Sequence, residues 1–254
     1  ITLQEPLVVS GSDVVIDGDN KKIELHEGSN NNQNGFVIKS VIKDTKVKNV
    51  ELRNVTFENY SLNAITLLNA EDVLIEKVTL KGKSNSNITK SNVGIDLDNS
   101  TATIKDIVSM NHAYAGIRVR KASQLTLDGW NKHTNDTNDL DSQVKTGEND
   151  NILNNVNNNY TEWQVKPGSD SSPTSTIYKV KTKREVRNVT ELKEAIAIPN
   201  TAIVLLNDID INENIEIKSK NITIDGNHYQ IKIISNASTN NGTNTAGLAV
   251  KSEN

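Results

Sequence analysis

The residues best suited to chemistry lie in two short stretches with one pattern: GIDLD, which ends at Asp98, and GIRVR, which ends at Arg120. In both, aliphatic residues alternate with charged ones, which is typical of a strand with one buried face. If the strands are neighbours, Asp96 lies opposite Arg118 and Asp98 opposite Arg120 on the outward face. Guanidinium groups there could bind the carboxylates of galacturonate or sialic acid. The alternative is an exposed ladder of salt bridges without a ligand.

Aromatic residues make up only 4% of the chain, so their positions are informative. Tyr114 precedes the arginine stretch, and Trp130 and His133 follow the last clear repeat. Sugar rings stack on aromatic faces, and binding groups often collect on loops. The predicted ligand-binding residues are Arg118, Arg120, Tyr114, Trp130, His133, Asp96 and Asp98. In the alternative interpretation, Trp130 and Trp163 only close one end of the fold.

A short acidic segment after these aromatic residues could hold a calcium ion. Its oxygen-bearing side chains are Asp136, Asn138, Asp139 and Asp141. The segment lacks the glycine and the distal glutamate of an EF-hand loop, so a solvated loop is the simpler interpretation. We predict no metal site, no cofactor and no catalytic residue.

The charged stretches belong to a series of repeats that predicts two families of strands. Apolar residues at equivalent places in the first family are Val50, Val73, Ala102 and Leu125. Those of the second family are Phe36, Ile65, Ile95 and Ile117. Two strand families with similar spacing are expected when a chain winds through successive coils and lays each strand on the previous one. The sequence therefore predicts an all-β solenoid.

The repeat pattern stops around residues 129–180, where Asn, Ser and Pro predict turns, loops and a linker. A strand-like segment, TIYKVKTKREV, begins at Thr176 and leads to the next element. One short helix is then predicted near 190–198. Asn188 or Thr190 can cap it, and Glu191 can complete a capping box. Such a helix is expected to cover the open end of the strands that follow it.

A long-range internal repeat divides the chain into two parts. DVVIDGDNKKIEL, from Asp13, recurs as NITIDGNHYQIKI, from Asn221, at an offset of 208 residues. We predict a first module over 1–181, including its loop and linker region. Residues 182–254 would contain the capping helix and first coils of an equivalent module. Either the chain is a fragment of a longer array of modules, or this second part stacks on the open end before residue 1, in the same molecule or head-to-tail in a neighbour.

Charge and composition argue against several classes of function. The chain has 254 residues, no cysteine and a formal net charge of −4, and it has no dense basic patch, which argues against a nucleic-acid partner. No apolar run approaches the length of a membrane span, so we predict no membrane insertion. No signal sequence precedes Ile1, which is expected to begin either a mature product or a fragment.

The helix, strand and turn in ELKEAIAIPNTAIVLLNDIDI and NITIDGNHYQI resemble the pectate-lyase-like adhesive modules of Gram-positive cell-surface adhesins, especially those of lactobacilli. The resemblance covers residues 1–128 and 186–254. It implies a right-handed parallel β-helix. It also implies an extracellular module on a bacterial cell wall, with its anchor outside this chain, that binds mucin-type glycoproteins or an acidic polysaccharide such as pectin.

Two other functions remain open at this stage. Polysaccharide lyases of this fold use a basic residue beside carboxylates that hold calcium, and Arg118 with Asp96 and Asp98 matches part of that set. A hydrolase would instead need paired carboxylates at one end of neighbouring coils. A structural stalk, in which the solenoid only separates other domains, is the third possibility. We predict a binding module rather than an enzyme.

Overall fold

The computed structural model describes residues 1–25, 34–82, 92–134, 136–169, 171–234 and 247–250. The described part of the protein is mostly β, with 59% of these residues in strands and 6% in two helices, and parallel strands form a curled sheet. The chain divides into two compact units. Unit 1 contains residues 1–157 and 162–180, and unit 2 contains residues 158–161 and 181–254. The sequence predicted the division between residues 181 and 182.

The strands up to residue 180 are short, apart from β3 and β5. They are β1 (Thr2–Leu3), β2 (Leu7–Val9), β3 (Val14–Leu25), β4 (Phe36–Lys39), β5 (Val47–Glu58), β6 (Asn63–Leu68), β7 (Ala70–Glu76), β8 (Thr79–Lys81), β9 (Val93–Asp98), β10 (Thr101–Lys105), β11 (Val108–Met110), β12 (Ala115–Arg120), β13 (Gln124–Asp128), β14 (Lys132–Thr134), β15 (Asn138–Val144), β16 (Ile152–Asn154), β17 (Tyr160–Lys166) and β18 (Thr174–Val180). A one-turn helix, α1 (Val156–Asn159), precedes β17.

Two sheets organise these strands. Sheet A has ten strands, and its main path runs β14-β11-β8-β5-β7-β10-β13-β16, with β3 beside β5 and β1 beside β3. Sheet B has eight strands in the order β17-β18-β15-β12-β9-β6-β4-β2. The pairs from β2 to β15 in sheet B are parallel, whereas β15 and β18 are antiparallel.

The strand pairings confirm both predicted ladders. In sheet A, Val73 pairs with Val50 and with Ala102, which pairs in turn with Leu125. In sheet B, Phe36, Ile65, Ile95 and Ile117 pair in succession. All eight side chains are buried, because alternate residues of each strand point to the same side. Burial of these aliphatic side chains is the main stabilising term for the stacked strands.

A third set of strands was not predicted. The strands β8, β11 and β14 follow β7, β10 and β13 after a sharp corner, and they form the other arm of sheet A. The corner residues are Asn54, Lys77, Asp106 and Gly129, which have φ values of 54°, 53°, 52° and 57°. Positive φ is favoured by Gly, Asn and Asp, which explains part of the Asn content of this chain.

The prediction of loops and a linker over residues 129–180 is wrong for most of this range, whereas the strand-like segment from Thr176 does lie in β18 and in the strand that follows it. Five strands, β14 to β18, and helix α1 lie in or overlap this range. β15 stacks on β12, with Leu140 paired to Ile117, and so continues the ladder of sheet B. The prediction failed because Leu140 is the one aliphatic residue between Asn138 and Gln143, too few to show an alternating pattern.

The described residues of unit 2 contain the predicted helix and seven strands. The helix α2 (Val189–Ile196) is followed by β20 (Thr201–Leu205), β21 (Ile209–Ile211), β22 (Asn214–Ile217), β23 (Thr223–Asp225), β24 (Ile231–Ile233) and β25 (Gly247–Val250), and β19 (Thr182–Val186) precedes it. The parallel sheets are β19-β20-β23, β21-β24 and β22-β25. Leu192 and Ile196 of α2 pack in one buried apolar cluster with Ile203, Ile211 and Ile215.

The capping of α2 is as predicted, with one difference. The Asn188 side chain accepts a hydrogen bond from the Glu191 backbone N–H at 2.9 Å. The Glu191 carboxylate accepts from the Arg187 backbone N–H at 2.7 Å, one residue before the expected donor. The helix ends at Ile196 rather than at 198, and α1 makes it the second helix of the chain. Neither helix is long and apolar enough to span a membrane, among the described residues.

Candidate functional site

The predicted pairing of acidic and basic residues in sheet B is confirmed. Asp96 and Asp98 lie on β9, and they pair in register with Arg118 and Arg120 of β12. The same row continues on β15, where Asp141 is the neighbour of Arg118. We call Asp96, Asp98, Arg118, Arg120 and Asp141, with Tyr114 before β12, the charged face of sheet B.

Both arginines bind Asp96, which differs from the predicted ladder of separate, exposed pairs. Arg118 donates from Nε and Nη2 to the two Asp96 oxygens, at 2.8 Å each. Arg120 donates to the same oxygens at 3.1 and 2.8 Å. The Asn63 amide donates a further bond at 3.3 Å. Asp96 is only 1% exposed, so the expectation that it projects into solvent is wrong.

This arrangement fixes the charge of the buried carboxyl. Burial raises the pKa of Asp96, but the hydrogen bonds from Arg118 and Arg120 outweigh it and hold the pKa below its usual value. Burial lowers the pKa of Arg120, while its bond to Asp96 raises it, and the net shift is upward. Two planar guanidinium groups on one carboxylate therefore form a rigid, permanently ionised cluster.

Asp98 is held at the end of the same strand by two cations. Its carboxylate lies 3.2 Å from Arg120 Nη2 and 2.9 Å from Lys121 Nζ, and its side chain is largely buried. The guanidinium of Arg120 is thus shared between Asp96 and Asp98. As a result, both arginines enter any encounter with a ligand already bound to buried carboxylates.

Tyr114 lies beside Arg118, as predicted. The Arg118 guanidinium carbon is 5.6 Å from the centre of the Tyr114 ring, a cation–π distance. The phenol donates a hydrogen bond to Asp141 Oδ2 at 2.7 Å and accepts one from the Gln143 amide. Burial and the bond to Asp141 raise the pKa of Tyr114 to about 12. The phenol is therefore a fixed donor at neutral pH.

Sequence reasoning missed the part that Asp141 plays on this face. It is 1% exposed, and its Oδ1 atom has no hydrogen-bond partner among the described residues. Asp141 was considered only as a loop ligand for calcium. The repetition of DLD, in GIDLD and again in NDLDSQ, was the available signal that both segments are strands of one sheet.

A groove of about 450 Å³ opens at the ends of β6, β9 and β12. Its floor consists of Leu68, Asn69, Asp98, Asn99, Lys121 and Ala122, and residues 147–149 form its wall. Asn69 and Asn99 are stacked corner residues, with a bond of 2.8 Å from Asn99 Nδ2 to Asn69 Oδ1. Of these groove residues, the sequence analysis had selected only Asp98.

The corner of the groove widens at the third strand. Asn69 and Asn99 each turn the chain with a single positive φ, of 52° and 49°. The next corner uses two consecutive residues, Lys121 and Ala122, with φ values of 56° and 55°. Alanine at positive φ is strained, and such strain is frequent at ligand sites. The wall contains Gly147, whose φ of 84° suits the third position of a type II turn.

Trp130 and His133 do not lie on β12 or in sheet B, unlike the other predicted site residues. Trp130 follows a corner of sheet A, where its backbone N–H donates to Asp106 at 2.7 Å. His133 is on β14, also in sheet A, and its side chain is buried, so its predicted place on a surface loop is wrong. Trp163 is 65% exposed on β17, which contradicts the alternative that it is buried as an end plug.

His133 belongs instead to a polar network inside unit 1. Asp136 lies 2.8 Å from His112 Nδ1 and 3.0 Å from His133 Nδ1, and it accepts a bond from Ser109 Oγ at 2.7 Å. Tyr60 Oη lies 2.6 Å from His112 Nε2. Burial raises the pKa of Asp136, but the bonds from His112 and His133 hold it well below its usual range. An ionised Asp136 requires a donor at His112 Nδ1, and in the neutral ring Nε2 then accepts from Tyr60.

The acidic segment considered for calcium is part of folded structure rather than a solvated loop. Asp136 binds the two histidines, and Asp139 lies 3.3 Å from Lys179 Nζ and accepts the Val180 backbone N–H at 2.8 Å. Asp141 binds Tyr114. The three carboxylates thus bind different protein groups. No cluster of three or more His, Cys, Asp or Glu side chains suited to a metal occurs within the described ranges.

No family model matches this chain, and no curated protein is significantly similar to it. The resemblance to adhesive modules rests on the sequence features given above. The charged face and the groove beside it are therefore the physical basis for any statement about function.

Proposed function

We propose that the protein is a module of a bacterial cell-surface adhesin that binds glycans through the outer side of sheet B. We also propose that its parallel strands wind as a right-handed β-helix. Support for the winding comes from three sets of strands that recur in the same order, with parallel pairing between successive copies. Head-to-tail contact between such modules follows from the internal repeat and belongs to the same proposal.

The groove beside the charged face carries the proposal for binding. It exposes amide, carboxylate and ammonium groups of three successive strands, which are spaced about 4.8 Å apart in a sheet. A volume near 450 Å³ is within the range of about 300–1,000 Å³ for small-ligand sites. Its polar lining suits a ligand rich in hydroxyl groups better than an apolar one, and a saccharide is such a ligand.

Binding is favoured over catalysis by the state of the arginines. Arg118, the candidate base of a lyase, donates two hydrogen bonds to Asp96, and that carboxylate is itself buried beneath both arginines. A base must be free to accept a proton from the substrate. The same pairing leaves Asp96 unsuited to hold a metal or to act as an acid.

A structural stalk would not need this face. A buried ion pair is often no more stabilising than apolar side chains of similar volume, because both charges lose their hydration. Asp96 and its arginines therefore stabilise the fold little more than leucine and isoleucine would. The groove does not stabilise the fold. A binding role accounts for the groove.

An array of neutral, sialylated and uronate-containing glycans tests this proposal with the full chain. We expect selective, saturable binding to a subset of glycans, and we expect antibodies against the chain to label intact bacterial cells that produce it. A chain that is folded by circular dichroism yet binds no glycan would instead support the stalk.

A further inference from the structure

We propose that the groove at the ends of β6, β9 and β12 is selective for uncharged saccharides, rather than for the acidic ones that the arginine pattern suggests. This inference rests on the proposed function and names the class of ligand. It follows from the carboxylates that already pair with the cations in and beside the groove.

The charges in the groove lining leave a negative balance. Two carboxylates, Asp98 and Glu148, line it with one ammonium group, that of Lys121. Lys121 Nζ lies 2.9 Å from Asp98, so the ammonium group is already paired with a carboxylate of the lining. A carboxylate on a sugar would meet Glu148 without a free cation in the lining, and like charges at close range repel.

The arginine beside the groove is already paired with carboxylates, and its charge also interacts with that of Glu148. Arg120, next to Lys121, is shared between Asp96 and Asp98. To bind an acidic sugar it would have to give up bonds to a buried carboxylate, which is costly because Asp96 would lose its compensation. Lys39 pairs in register with Leu68 from β4, but it lies outside the lining.

Neutral groups remain available in the same lining. The hydrogen bond between the two stacked asparagine amides uses Asn99 Nδ2 and Asn69 Oδ1. Asn69 Nδ2 can therefore donate a hydrogen bond to a ligand, and Asn99 Oδ1 can accept one. Asn149 is exposed on the wall. Leu68 and Ala122 supply a small apolar floor against which the C–H side of a sugar ring can pack. Hydroxyl groups can use all of these without breaking an ion pair.

The groove is also shaped in advance. The wall turn is closed by a bond from the Glu148 backbone N–H to the Lys145 carbonyl at 3.0 Å, and the Glu148 carboxylate accepts the Lys145 N–H at 3.2 Å. A Cβ added at Gly147 would meet no atom within 4 Å, so the turn borders open space. A wall that is already ordered lowers the entropic cost of binding.

The test uses paired neutral and acidic oligosaccharides of the same length in calorimetric titrations with the full chain. We expect the neutral member to bind about tenfold more tightly than its uronate counterpart, from a like charge at close range. Glu148→Gln should reduce the difference in affinity between the neutral and the acidic oligosaccharide. The glutamine keeps a side-chain oxygen that can accept the Lys145 backbone N–H. Asn149→Trp should abolish binding by filling the groove. Gln124→Trp, at an exposed amide on β13 of sheet A, is the matched control and should bind like the wild type.

The outcomes separate this inference from the proposed function. If the wild type binds acidic glycans more tightly, or Asn149→Trp still binds, the selectivity or the site is wrong while the adhesin proposal stands. If the wild type binds no glycan of either kind, the proposed function itself is wrong. Circular dichroism of each variant shows whether lost binding reflects lost structure.

Discussion

Two inward-facing rows of unit 1 fill the space between stacked strands in different ways. The apolar row of sheet B contains Phe36, Ile65, Ile95, Ile117 and Leu140. The mixed row, in the second arm of sheet A, contains Phe57, Leu80, Ser109 and His133. Both rows are buried, yet only the mixed row changes from apolar to polar along its length.

The difference shows what a polar row requires. The apolar row needs side chains of suitable volume, since burial of hydrocarbon stabilises it without directional contacts. Ser109 and His133 must instead satisfy their polar atoms, and Asp136 and Tyr60 complete that network. Gly116 leaves room for it, because a side chain there would collide with His133 and Asp136. The mixed row is therefore specified by several elements at once.

The largest effect is expected from a charge in the apolar row. Ile95→Asp would bury an unpaired carboxylate between Ile65 and Ile117, at a cost of several kcal/mol, and should unfold unit 1. Ile95→Val, the matched control, should cost about 1 kcal/mol. Thermal unfolding followed by circular dichroism measures both. If Ile95→Asp leaves the melting temperature unchanged, the row is not interior.

A smaller loss is expected when the mixed row loses its central acceptor. Asp136→Asn keeps the shape but replaces a carboxylate that serves Ser109, His112 and His133, and should lower the free energy of unfolding by about 2–4 kcal/mol. Urea titration at neutral pH measures the loss, with Ser109→Ala as the variant that removes a single donor. A loss below that of Ser109→Ala would mean that Asp136 does not organise the network.

The same variant should change the pH dependence of stability. The folded-state pKa of Asp136 is below its unfolded value near 3.9, so its contribution is complete above that pH and is lost as the pH falls further. The difference in stability between the wild type and Asp136→Asn should therefore shrink below about pH 4. Because other carboxylates titrate equally in both proteins, the difference isolates Asp136. A constant difference down to pH 3 would contradict the assignment.

The two rows also explain how far the sequence could predict this structure. The apolar row was correctly predicted from Phe36 to Ile117, because β4, β6, β9 and β12 are four to six residues long and alternate clearly. Its last member, Leu140 of β15, was missed. The mixed row was missed because β8, β11 and β14 have three residues each, with one inward side chain that is Leu80, Ser109 or His133. A single polar residue in a short segment is typical of a loop, so tertiary contacts alone identify it as interior.

The charged face was predicted in its register but not in its geometry. Strand alternation placed Asp96 beside Arg118, and the structure agrees. Sequence spacing assigns one partner to each charge, whereas Arg120 is long and flexible enough to reach back to Asp96 as well. The groove beside Asp98 depends on a turn after β15, which was taken for part of a linker. The pairing of these charges and the position of the groove therefore depend on distances between neighbouring strands, which the alternation of residues does not give.

The smallest effect is expected at the edge of the mixed row's network. Tyr60→Phe removes the hydroxyl that lies 2.6 Å from His112 Nε2 and keeps the ring, whose centre lies 5.9 Å from that of His112. A buried acceptor without its donor costs about 1–2 kcal/mol, so the variant should unfold at a slightly lower urea concentration with an unchanged slope. Tyr60→Leu removes the ring as well and should cost more. If Tyr60→Phe is as stable as the wild type, His112 does not accept from Tyr60.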